Sequence, residues 1–170
     1  MKRIFQIAYS LLLVLFLCYT LTGCSSEPPD VASVEEHFQN NQEDIQTVVD
    51  FIINSEYSSV SIDTADGMMF ADLKMVEIEN EGVNSAIKRL LGHRLGGSRQ
   101  YYSIYRSMNT IEFFQWKNTH DCGCGVAYSI SGKIPPIIQY CTELVPLSEE
   151  GWYYYVDDYN AWRTGKRPFQ

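Results

Sequence analysis

A change of hydrophobic period along the chain limits its fold more than any other feature. From Asp30 to about Asn54, Val31, Val34, Phe38, Ile45, Val48, Val49 and Ile52 recur at intervals of three, four and seven. That spacing places them on one face of a long N-terminal amphipathic helix. Ser33 followed by Glu36 reads as a capping box, and Asp30 is a competing N-cap. Val83, Ala86, Ile87, Leu90 and Leu91 repeat in the same way, so a second, shorter helix is expected, closed by Gly92. Beyond Gly96-Gly97 the pattern becomes β. Arg99–Arg106 and Thr110–Lys117 flank Ser107-Met108-Asn109 as a hairpin, and Gly123–Ile130, Ile137–Leu147 and Trp152–Val156 read as further strands. Two more strand-like runs, Tyr57–Asp63 and Met68–Glu79, lie between the helices on either side of Thr64-Ala65-Asp66-Gly67, a turn signal. Asp157–Arg163 is expected to add a last helical turn. Helices followed mostly by consecutive strands predict an α+β fold, with both helices packed on a mostly antiparallel sheet.

The first 23 residues stand apart from this pattern. Met1-Lys2-Arg3 precedes an apolar run from about Ile7 to Leu21 that is short for a membrane span and ends in small residues, which describes a signal peptide. Leu21-Thr22-Gly23-Cys24 resembles the lipobox of bacterial lipoproteins. The resemblance implies that residues 1–23 are removed by signal peptidase II and that Cys24 carries a diacylglyceryl thioether with acyl chains such as palmitate. Residues 24–30, Cys24-Ser25-Ser26-Glu27-Pro28-Pro29-Asp30, would form a short tether. Residues 31–170 would then be a single globular domain, large enough to bury roughly two-thirds of its unfolded surface. The implied location is the cell envelope, outside the cytoplasm, with the membrane reached through the lipid on Cys24. Ser25 after the cysteine resembles the outer-membrane sorting pattern of two-membrane bacteria. Loss of Lys2 and Arg3 with the leader leaves 11 basic against 21 acidic residues, a net charge of −10. Such a domain is repelled by nucleic-acid phosphates and anionic headgroups, which excludes nucleic acid as the main partner.

Beyond Cys24 the mature chain holds Cys122, Cys124 and Cys141. The number is odd, so at least one thiol has no partner in the chain. A two-residue turn at Gly132-Lys133 would set Cys124 opposite Cys141, within disulfide reach, and the bridge would close a loop of roughly 17 residues. Pro135 and Pro136 fit such a ladder poorly. A soft metal site is the alternative: His120, Cys122 and Cys124 alternate onto one face of a strand, and Cys141 would complete four ligands for Zn²⁺ or Cu⁺. C-x-C lacks the usual zinc spacing, and Gly123 and Gly125 are compatible with a loop. His120 or His93 beside one of these thiols would make a Cys-His nucleophile, although no local signature marks one.

Tyr101-Tyr102-Ser103-Ile104-Tyr105 and Gly151-Trp152-Tyr153-Tyr154-Tyr155-Val156 are the aromatic strands. Each has either one core face and one ordinary surface, or an exposed platform for a glycan or an envelope protein. Asp157-Asp158, Glu149-Glu150 and Asp63–Gly67 lack the alternation of a calcium loop, and His37 reads as a solvated helix residue. No G-x-S-x-G, H-E-x-x-H, phosphate loop or dinucleotide glycine pattern occurs, so no cofactor is expected. The sequence therefore points to a lipid-anchored, non-catalytic binding module, with metal or thiol-redox handling as the alternative.

Overall fold

The structure is a computed structural model that describes residues 27–92, 99–118, 121–132 and 134–168. Residues 1–23, expected to be a signal peptide, and Cys24, His93, His120 and Lys133 lie outside the described residues. Asp30 opens the first helix, α1 (Val31–Asn40), its carboxylate accepting from the Ser33 amide at 2.8 Å. Asp30, not the Ser33/Glu36 box, is therefore the cap. The one long helix expected here is two, because α2 (Gln42–Asn54) starts afresh after Asn41. The Asn41 side chain donates to the His37 carbonyl at 2.8 Å, a local bond that competes with helix continuation. The break lets both apolar stripes bury completely: Val34 and Phe38 on α1, Ile45, Val48, Val49 and Ile52 on α2.

One eight-stranded sheet follows. Its strands are β1 (Ser59–Ile62), β2 (Met68–Ala71), β3 (Lys74–Glu77), β4 (Ser103–Ser107), β5 (Thr110–Lys117), β6 (Cys122–Ser129), β7 (Cys141–Pro146) and β8 (Trp152–Asp158). They lie in the order β3-β2-β1-β4-β5-β6-β8-β7 with every neighbouring pair antiparallel. The α3 helix (Glu81–Leu91) packs against α2, while α1 lies over β6 and β8. The mixed α+β class expected from the sequence is thus present. Arg106 from β4 donates to the Ile52 carbonyl at 2.6 Å and satisfies the end of α2. Between helices and sheet, Phe38, Phe113 and Trp152 form the aromatic centre of the core, with Phe38 and Trp152 centroids 4.6 Å apart.

Two expected strands are rearranged. Met68–Glu79 is a hairpin that reverses at Asp72 and Leu73, both with left-handed φ (43° and 70°). Asp72 supports the turn by accepting from the Ser59 and Ser58 amides, bonds that hold its carboxyl down at about 2. Ile137–Leu147 is strand only from Cys141, and β7 does not pair with β6, because β8 is inserted between them. The connection after β6 instead crosses the sheet face opposite the helices. There Ile138 is buried with Ala127, Tyr155 and Cys141 in a second, smaller core. The β5–β8 region is therefore covered on both faces. On the β2–β3 and β4 portion, Phe70, Met75 and Tyr105 stay exposed.

Gly123 and Gly125 sit within β6 and not in a loop. A Cβ at Gly125 would run into the Phe113 carbonyl, and one at Gly123 into the Phe114 ring and, at 2.7 Å, Asp157 Oδ1. These glycines serve close approach of neighbouring groups, as glycine within a strand often does. Among the described residues no helix is long and apolar enough to cross a membrane.

Candidate ligand-binding cleft

Where β5 turns into β6 and β8 runs into the short α4 (Tyr159–Arg163), the chain surrounds a cleft of about 580 Å³. Hydrogen bonds between backbone segments fix its walls. The Asn118 amide donates to the Cys122 carbonyl at 2.9 Å, and the Asn118 side chain accepts from the Cys122 amide at 3.1 Å. The Tyr159 amide donates to Asp121 O and the Asp158 amide to Tyr140 O, joining the β5–β6 turn, the start of α4 and the residue before β7. Asp158 then caps α4 by accepting from the Ala161 amide at 2.9 Å. Asp157 and Asp158, adjacent in sequence, accordingly do different work: one lines the cleft and the other starts a helix.

Three aromatic side chains, Phe114, Tyr140 and Tyr159, line the cleft together with Lys117, Asp121, Cys122, Gly123 and Asp157. Tyr140, held at φ 58°, meets Tyr159 edge-on at 4.9 Å and Trp162 at 5.3 Å. The Arg167 guanidinium lies 4.0 Å over Trp162. Lys117 places its ammonium 5.4 Å from the centroid of Tyr102.

The acids here are unusual. Asp157 Oδ1 is buried and has no hydrogen-bond partner among the described residues. Burial raises the Asp157 carboxyl above its ordinary range, Asp158 adds to the rise, and the Asp157 and Gly123 amides pull the other way. Glu112, on the same sheet face, is pushed up to about 7 by burial first and by Asp157 second. Tyr155, whose hydroxyl is also buried and unpartnered, is raised well above an ordinary phenol by burial and then by Glu112 and Asp157. Burial first, and the neighbouring carboxylates second, disfavour negative charge here.

The cysteines are not brought together. Cys122, Cys124 and Cys141 are unbonded. Cys124 stands opposite Val156 on the helix-side face, whereas Cys141 stands opposite Asp157 in the second core, so the expected 124–141 bridge is replaced by two thiols on opposite faces with β8 between them. The four-ligand arrangement fails for the same reason as regards Cys141, and its His120 lies outside the described residues. Among the described residues no group of three His, Cys, Asp or Glu is arranged to hold a metal ion. Burial pushes the thiols up to about 11 for Cys122, 12 for Cys124 and 11 for Cys141. Burial thus holds all three as thiols, the reverse of what an activated nucleophile needs.

Other expectations resolve more simply. His37 is half-buried and meets the Tyr101 ring at 5.2 Å, so it is a packing residue and not a solvated one. Asp63 and Asp66 accept from Ser61 and from Thr64 and Met68, as turn residues do. In the Trp152–Val156 strand Trp152 and Tyr154 enter the main core and Tyr155 the second one, leaving no exposed platform. Glu112 and the Tyr140–Tyr159 wall carry no motif in the sequence. One available signal was an acid in the otherwise apolar Thr110–Phe114 strand, and another was a pair of glycines inside β6. No family model, curated protein or solved structure matches this chain.

Proposed function

We propose that this protein is a lipid-anchored component of the bacterial cell envelope, held to the membrane through Cys24. In this reading its α+β domain is a non-catalytic binding module that works through the cleft. The observation that carries the binding role is the cleft itself: aromatic walls beside Asp157, a carboxylate with one oxygen unpartnered among the described residues, and the Cys122 thiol held protonated. Such a surface recognises a ligand without an activated nucleophile. The anchor rests on Leu21-Thr22-Gly23-Cys24 and is supported by the start of the domain. Tyr154 donates its hydroxyl to the Pro29 carbonyl at 3.0 Å, so only the residues between Cys24 and Pro29 separate lipid from fold. At about 3.4 Å per extended residue the reach is roughly 17 Å, which keeps the domain close to the bilayer. In a two-membrane host, Ser25 after the lipidated cysteine favours the outer membrane.

Replacing Cys24 tests the anchor. Wild-type protein expressed in a bacterial host should fractionate with membranes and incorporate labelled palmitate. Cys24→Ala should lose the label and its lipid-dependent membrane association. Unlabelled wild-type protein, or a variant that keeps the acyl label, would refute lipidation at this residue.

A further inference from the structure

We propose that the cleft binds an alkylammonium group, with Asp157 as its counter-ion and Phe114, Tyr140 and Tyr159 as its aromatic walls. The proposal rests on the reading of the cleft as the binding site and adds the class of ligand. Asp157 lines the cleft, and among the described residues its Oδ1 has no hydrogen-bond donor and no cation beside it. Leaving such an oxygen unpaired is costly, and an incoming N–H or ammonium removes the cost. Burial already opposes the charge on Asp157, and no described cation is among the groups that set its protonation. Lys117, the cation on the rim, points its ammonium at Tyr102.

The walls suit the same ligand. Aromatic faces carry negative potential and attract organic cations, most strongly where water is excluded. The protein already uses the adjoining surface in this way. Arg167 stacks on Trp162, which in turn meets Tyr140, so the aromatic wall continues from an occupied cation site into the open cleft. An anion would face Asp121, Asp157 and nearby Asp158 in a chain of net charge −8. The ammonium of a lipid headgroup and that of a soluble amine share this chemistry.

The test uses full-length protein in non-ionic detergent, titrated with butylammonium, tetramethylammonium, butyrate and n-pentanol while the Gly123 and Tyr140 amide resonances are followed. Butylammonium should give saturable shifts, and butyrate should not. Asp157→Asn should weaken butylammonium binding about ten- to a hundredfold, the value of a charge-assisted bond. Because Asp157 is wedged between β6 and β7 near the end of β8, Tyr159→Ala on the exposed side of α4 provides the second variant and should weaken tetramethylammonium binding several-fold. Competition by added phosphatidylethanolamine would assign the ammonium to a lipid. Retained butylammonium shifts in its presence would assign it to a soluble amine. Equal shifts with butyrate or n-pentanol would overturn the cation assignment while leaving the cleft a binding site. No shift with any probe would overturn both, and the Cys24→Ala fractionation reads the anchor independently.

Discussion

Glu112→Gln should remove a pH dependence of stability that the fold builds in. Glu112 lies on β5 opposite Ala127, on the face covered by the connection through Ile138. Tyr155, Asp157 and Cys141 are the titratable groups coupled to it, and none brings a positive charge. Its carboxyl is raised from an ordinary 4.5 to about 7. The folded state therefore binds a proton that the unfolded chain has released between those values. The resulting stabilisation is complete below pH 4.5 and is lost as pH rises through 7. Each pH unit in that interval costs at most about 1.4 kcal/mol, so the total approaches about 3 kcal/mol. Urea unfolding followed by tryptophan fluorescence at pH 5, 6, 7 and 8 should show wild-type stability falling, with a much flatter curve for Glu112→Gln. The amide can shift the whole curve by about 1–3 kcal/mol if its N–H groups find no acceptor, so the slope is the test. Asp72, held at about 2, titrates below this window and loses its contribution as pH falls under its ordinary 3.8. Parallel curves for the two proteins between pH 5 and 8 would refute the burial argument.

Two further outcomes follow from packing. Native protein treated with iodoacetamide at pH 8 should react slowly at Cys122 and hardly at all at buried Cys124 and Cys141, while after denaturation without reductant all three should alkylate; a mass two hydrogens light would restore a disulfide. Gly125→Ala should destabilise by about 1–3 kcal/mol or more, because its new methyl meets the Phe113 backbone and no flexible side chain can yield; an unchanged urea midpoint would show that β5 and β6 can separate freely.

The local elements were legible in the sequence because their causes are local. The α3 stripe from Val83 to Leu91 and the β4–β5 hairpin around Met108 come from short-range periodicity and turn chemistry, and both formed where expected. The break at Asn41 and the reversal at Asp72-Leu73 carried weaker signals: a side-chain bond to the fourth residue back, and a turn without glycine or proline. Strand order was the larger omission. Nothing local to Ser129–Cys141 says that β8 will enter between β6 and β7, since that choice depends on burying Tyr155 and Ile138 against Ala127 on the far face of the sheet. That one choice separated Cys124 from Cys141 and set Asp157 opposite Gly123. The sequence by itself determined the helix and strand periods and the acidic balance. Only tertiary structure decided which residues share a cleft, because pairing between distant strands is set by the summed burial of a whole face and not by the spacing of any few residues along the chain.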